Sequence, residues 1–161
     1  GVVVGLDRHK RDAAAVATRH DAPVYVPQWM SGVADALDAP VERFGGELAD
    51  SGFEAVRIRD SGIPPWQEVG LYHPEDGTLL VPEAVGTAAY FRAPGEPLGV
   101  HPMLRPVPPR RELSRFDPER VLVGHGAGVD TDAAAALRDA LDNARSNLPG
   151  AYGQALKQLL S

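Results

Sequence analysis

A short, continuous run of apolar residues opens the sequence and constrains the fold more than any other feature. Residues 2–6 (VVVGL) are rich in β-branched side chains, which is typical of a strand buried on both faces of a sheet. A charged turn follows at residues 7–12, then a strong helix-forming stretch at 13–20 and a second strand-like segment at 23–26. The order strand, polar turn, helix, strand predicts a βαβ unit and hence an α/β fold.

The rest of the chain alternates strand-like segments with turns before it ends in helices. Residues 53–59 alternate apolar and charged side chains, as a half-exposed strand does. Residues 66–72 and 78–81 predict two strands around a hairpin turn that contains Pro early and Asp-Gly late. A Pro- and Arg-rich stretch, expected to be irregular, precedes a short buried strand at 121–123 and a helix at 132–147.

Length, charge and cysteine content limit the classes of function. The 161 residues predict one domain over residues 1–161. No apolar run approaches the roughly 18 residues that cross a bilayer, and no signal segment is evident, so we expect a cytoplasmic protein with no membrane partner. A net charge of −6 argues against nucleic acid as a partner. The absence of cysteine excludes thiolate zinc ligands and cysteine nucleophiles.

Three polar turns follow apolar strands, where α/β folds place functional groups. The first turn carries His9 and Asp12, and Glu83 comes just after the strand predicted at residues 78–81. Carboxylate and imidazole groups suit divalent metals and proton transfer. His125 lies between two glycines in the third turn, where the backbone can fold tightly and leave the imidazole accessible. Taken singly, each turn is more typical of an ordinary surface turn.

The order of these turns resembles the metallo-β-lactamase family. The segment VVVGLDRHKRDAAAVATRHDAPVYV resembles that family's strand, His-x-His-x-Asp-His turn, helix and strand. GLYHPEDGTLLVPEAVGT resembles the hairpin before its bridging carboxylate, and ERVLVGHGAGV resembles its final strand with a Gly-His turn. The resemblance implies an αββα sandwich, of which this chain would hold part or most, with the family's first strands missing.

Matched residue by residue, the resemblance keeps few of the family's metal ligands. Asp12 falls at the family's Asp, Glu83 at its bridging Asp and His125 at its last His. The family's middle His falls near Tyr72 and His73, and both registers stay open. The resemblance therefore leaves Asp12, Glu83, His125 and His73 as candidate ligands.

The departures from the family pattern concern the first turn. Arg8 and Lys10 fall at the first two His positions, and Ala13 falls at the third. Two zinc ions need about four to five ligands each, shared ligands and water included, so the resemblance implies that a dinuclear zinc site is lost. Arg8 and Lys10 are expected to replace the metal charge beside Asp12 and Glu83.

Two functions follow from this hypothesis. The first is a catalytically inactive metallo-β-lactamase-like protein, repurposed for binding or assembly, with no cofactor and with a small molecule as a candidate ligand. A shortened sheet would expose an edge, so we expect a homo-oligomer. The alternative is a hydrolase of esters, thioesters or lactones with one zinc or other divalent ion. Its metal would be held by Asp12, Glu83, His125 and His73, with Asp12 and His125 catalytic and His9 as a proton carrier.

Overall fold

The computed structural model describes the backbone of residues 1–159 and the side chains of residues 1–153. The chain divides into two compact units, Gly1–Leu71 and Tyr72–Ser161. Both units contain strands and helices, so the α/β class predicted from the sequence is confirmed. The single domain predicted from chain length stays a prediction.

The first unit opens with the predicted βαβ unit. Strand β1 (Val2–Val3) leads through the charged turn to helix α1 (Ala13–Arg19) and strand β2 (Val24–Pro27), which pairs in parallel with β1. Strand β2 pairs in parallel on its other side with β3 (Val41–Phe44). Strand β3 was not predicted from the sequence, because two of its four residues are charged and no apolar alternation marks it.

Two longer strands complete the first unit. Strand β4 (Glu54–Gly62) buries Val56 and Ile58 and exposes Arg57 between them, which confirms the predicted half-exposed strand. It neighbours β5 (Pro65–His73) in the sheet, and only residues 63 and 64 connect the two strands. The sequence predicted strands at residues 53–59 and 66–72, whereas β4 continues to Gly62 through residues with no apolar side chain to mark them as a strand.

The second unit is built on a parallel strand pair. Strand β6 (Thr78–Val81) pairs with β9 (Arg120–Val123) in parallel, and β7 (Val85–Gly86) pairs with β8 (Gly99–Val100) antiparallel. Leu79, Val81 and Val121 are fully buried, as expected for central strands.

Within the described residues, three α-helices accompany these strands in the second unit. They are α2 (Arg110–Leu113), α3 (Ala133–Asn143) and α4 (Leu148–Leu159). Helix α3 buries Leu137 and Leu141 on one face, as its spacing predicts. No helix within the described residues combines the length and apolar composition that crossing a membrane requires.

A buried arginine organises the Pro- and Arg-rich stretch between β7 and β9. The Arg105 side chain is fully buried and forms an ion pair with Glu96 at 2.6 Å. It also donates hydrogen bonds to the carbonyl oxygens of Phe91, Val100 and Ala144. Because a buried charge is tolerated only when paired and hydrogen-bonded, this network holds an otherwise irregular segment in one conformation.

We expect Arg105→Met to cost about 3–5 kcal/mol of the free energy of unfolding, because it leaves the Glu96 carboxylate buried without its cation. The matched control is Arg138→Met, whose pair with Asp117 is exposed on both sides and should contribute at most about 1 kcal/mol. Urea denaturation measures both. Equal losses in the two variants would contradict the importance of the buried pair.

The same network makes stability depend on pH. Burial alone would raise the pKa of Glu96, but hydrogen bonds from Arg105, the Ala93 amide and Asn147 together lower it below the usual 4.5. A carboxyl group whose folded pKa is lowered stabilises the fold fully above its unfolded pKa and loses that contribution as pH falls through the folded value. The stability gap between wild type and Glu96→Gln should therefore narrow as pH falls below 4.5. If the difference in unfolding free energy between wild type and Glu96→Gln stayed constant on acidification, this prediction would be wrong.

Candidate functional site

The site in the second unit lies where three strands end. Val81 of β6 lies opposite Val123 of β9 in the parallel register. Glu83 and His125 each come two residues after this pair, so both side chains emerge at the same edge of the sheet. His101 directly follows β8, and its backbone N–H donates to the carbonyl oxygen of Ala84 at 2.9 Å, beside Glu83.

These three side chains form one group, which we call the carboxylate–histidine cluster (Glu83, His101 and His125). Nε2 of His125 lies 2.8 Å from Oε2 of Glu83. Nε2 of His101 lies 3.4 Å from Oε1, at the long end of hydrogen bonding. The Glu83 side chain is 10% exposed and that of His125 is 32% exposed. Each oxygen of an almost buried carboxylate therefore faces one imidazole.

Aromatic rings line the cluster. Phe91 stacks on His125 with ring centroids 5.5 Å apart, and it meets His101 edge-on at 5.3 Å. Tyr90 lies edge-on to His125 at 5.9 Å, and burial together with the negative charge of Glu83 raises the pKa of Tyr90. Apolar surroundings lower the local dielectric, so contacts between the carboxylate and the imidazoles are stronger here than in water.

Two glycines allow the backbone to pass close enough to place His125. A Cβ atom at Gly124 would overlap the carbonyl oxygen of Pro82, and one at Gly126 would overlap Oγ1 of Thr87. Gly126 also has a φ of +110°, which side chains rarely adopt. The glycines that flank His125 in the sequence are therefore required by close packing.

Gly126→Ala should cost about 1–3 kcal/mol of unfolding free energy, because strain and overlap add at one position. Gly46→Ala is the control, since Gly46 is exposed and a methyl group added there would meet no other atom within 4 Å. It should leave stability unchanged or raise it by up to about 1 kcal/mol. Thermal and urea denaturation compare the two, and a harmless Gly126→Ala would disprove the packing argument.

The tautomer of His101 is fixed by its own backbone. The amide N–H of Met103 donates to Nδ1 of His101 at 3.2 Å. An amide N–H can only donate, so Nδ1 carries the lone pair and Nε2 carries the proton that points to Glu83. A metal-binding histidine has the reverse arrangement, with one nitrogen on the metal and the other N–H donated to an acceptor. In this tautomer, Nε2 of His101 cannot serve as a metal ligand.

In the first unit, Asp12 is an exposed carboxylate that pairs with the adjacent Arg11. Nε and Nη2 of Arg11 donate to Oδ2 of Asp12 at 3.2 and 2.9 Å. These hydrogen bonds, with the charge of Arg11, lower the pKa of Asp12. Arg11 is therefore a cation that pairs with Asp12, and the metal-replacing role expected of Arg8 and Lys10 stays a prediction. The planar guanidinium of the adjacent residue can approach the carboxylate with two donors.

The two expected metal-replacing cations have partners within the first unit. The guanidinium of Arg8 lies 4.4 Å above the ring of Trp66 and donates to the carbonyl oxygen of Pro65. Nζ of Lys10 donates to the carbonyl oxygen of Asp7 at 2.7 Å. These contacts tie the charged turn to its own backbone and to β5.

The remaining candidates are His73 and His9. His73 is the last residue of β5, and its Nδ1 lies 3.3 Å from Oδ1 of Asp76 in the hairpin turn that follows. The backbone N–H of His9 donates to the carbonyl oxygen of Leu6, and His9 and Arg8 line an open depression of about 520 Å³ in the first unit.

His101 was not predicted as a site residue from the sequence. It lies in the Pro- and Arg-rich stretch and follows a strand of only two residues, β8. The one available signal was its position after the apolar segment PLGV, which is the strand-end placement that Glu83 and His125 share.

Comparison with protein-family models and with curated proteins found no match. Solved structures do match. A crystal structure of DIM-1 metallo-β-lactamase exposed to ceftazidime superposes with a TM-score of 0.55 at 15% identity, covering 92% of this chain and 67% of that one. The structure of TMB-1 gives a TM-score of 0.55 at 13% identity, covering 94% of this chain and 68% of that one.

These similarities identify a metallo-β-lactamase-like fold, as the resemblance predicted. Identities of 13–15% concern the fold alone, and the chain corresponds to about two thirds of the length of each of these structures. One fold can carry many activities, so the function must be argued from the site.

Proposed function

We propose that this protein is a metallo-β-lactamase-fold protein without a dinuclear zinc centre, repurposed for binding or assembly. The observation that carries this proposal is the carboxylate–histidine cluster. Each oxygen of Glu83 faces an imidazole nitrogen, and Nε2 of His101 holds a proton where a ligand would need a lone pair.

The donor set does not fit two zinc ions. Such a centre needs about four to five ligands for each ion, shared ligands and water included. Arg8, Lys10 and Ala13 stand at the family's three His positions, and none of these side chains offers a lone pair to a metal. Asp12, the acidic residue retained in that turn, is held by Arg11.

The cluster also explains how Glu83 is buried without a metal. A buried carboxylate is costly unless hydrogen-bond donors or positive charge compensate it. The imidazoles of His101 and His125 supply N–H donors to its two oxygens. N–H donors of the two side chains thus compensate the buried carboxylate, as metal cations do in a metal centre.

The cluster suits the recognition of a small polar ligand. His125 is the most exposed of its three members, and the rings of Tyr90 and Phe91 form an apolar wall beside it. A ligand with a flat or apolar part and one hydrogen-bonding group would match this combination.

A mononuclear hydrolase is the second candidate. Oε2 of Glu83 lies 2.8 Å from Nε2 of His125. Carboxylate oxygens and imidazole nitrogens are both zinc ligands. A metal held there would supply an activated water for the hydrolysis of esters, thioesters or lactones.

Metal content separates the candidates. Wild type, His125→Ala and the control His20→Ala, which removes an exposed histidine of the first unit, are incubated with zinc and manganese, desalted and analysed by mass spectrometry. The proposal predicts a stoichiometry near zero in all three. One metal per chain, lost in His125→Ala and kept in His20→Ala, would favour the hydrolase. Two metals per chain would contradict both candidates.

A further inference from the structure

His101 is the member of the cluster that the family resemblance does not account for. We propose that His101 is a positioning residue and not a metal ligand: held as the Nε2–H tautomer by the Met103 amide, it fixes the Glu83 carboxylate so that Oε2 faces His125. This inference deepens the proposed function and rests on the same site.

The ring of His101 is held in place by hydrogen bonds and by packing. Its side chain caps the 3₁₀ turn at Pro102–Leu104 by accepting the Met103 amide proton. Its backbone N–H is bonded to Ala84, and its ring packs edge-on against Phe91. The ring is only 15% exposed. Backbone and packing therefore hold the ring in one orientation, and the turn selects which nitrogen is protonated.

The Glu83 carboxylate is oriented by its contacts with the two imidazoles. A carboxylate at the end of a flexible side chain can rotate and exchange its oxygens. The Nε2–H of His101 points at Oε1 of Glu83 and holds that oxygen in place. The other oxygen, Oε2, then faces Nε2 of His125 at 2.8 Å. An ionised carboxylate only accepts hydrogen bonds, so His125 must present its own Nε2–H to Oε2.

Three successive contacts therefore connect the Met103 amide to His101, His101 to Glu83 and Glu83 to His125. One backbone amide thereby determines the tautomer of an imidazole two residues away. By orienting the carboxylate, His101 also restrains the more exposed His125, which any ligand at the cluster would meet.

The test is ¹⁵N NMR of histidine-labelled, metal-free protein, because protonated and unprotonated ring nitrogens resonate far apart. We expect both His101 and His125 to show the Nε2–H pattern in wild type. In His101→Ala, His125 should lose its single pattern and shift toward a mixture of tautomers. His101→Gln, whose side-chain amide can still donate to Glu83, should restore the wild-type pattern of His125.

A second pair of variants tests the amide itself. Met103→Pro removes the N–H and should shift His101 away from the pure Nε2–H tautomer, whereas Met103→Ala keeps the N–H and should not. The exposed Met103 side chain makes this pair a test of the backbone group alone. An Nδ1–H pattern for His101 in wild type would overturn the proposal, as would an unchanged His125 in His101→Ala.

Adding zinc to the same labelled sample distinguishes the two proposals. If the Nε2 signal of His101 moves to that of a metal-bound nitrogen, the positioning role is overturned. If zinc binds and His101 keeps its Nε2–H, the positioning role stands and the metal-free function fails.

Discussion

The contact between the buried Glu83 carboxylate and two imidazoles is the interaction on which the site depends. A carboxylate with 10% exposure must be compensated, and this chain does so with N–H groups from strand ends. The parallel register of β6 and β9 brings Glu83 and His125 to one edge, and the bond from His101 to Ala84 brings the second imidazole. The geometry of the cluster therefore follows from the pairing of these backbone segments.

The fold and the site give different information about this protein. Superposition with metallo-β-lactamases defines the arrangement of strands and helices, and that arrangement places side chains at strand ends. What those side chains do depends on donors and lone pairs. The sequence resemblance implies that Arg8, Lys10 and Ala13 fall at the family's histidine positions, while His101, which that resemblance does not include, meets the Glu83 carboxylate. The same scaffold would then serve binding in place of hydrolysis.

Much of the fold could be predicted because its elements carry local signals. The apolar run of β1, the alternation in β4 and the Asp-Gly turn before β6 each give a periodicity or a turn preference that one sequence contains. Strand β3 could not be predicted, since its pairing with β2 comes from tertiary contact and its sequence VERF has no apolar pattern.

The site was predictable only in part. Glu83 and His125 were found because each follows an apolar strand, and their equal distance beyond a paired position makes them neighbours. The partner of Asp12 was missed because family matching pointed to Arg8 and Lys10, whereas the adjacent Arg11 can reach the carboxylate with two donors. The role of His101 depends on the amide of Met103, a backbone group that no side-chain motif reveals.

X-ray diffraction from crystals grown with zinc, at wavelengths on both sides of the zinc absorption edge, would show directly whether a metal binds at Glu83. We expect no anomalous peak beside Glu83 and a direct contact of 2.8 Å between its Oε2 and Nε2 of His125. A pair of strong anomalous peaks bridged by the Glu83 carboxylate, with His125 turned toward one of them, would contradict this expectation.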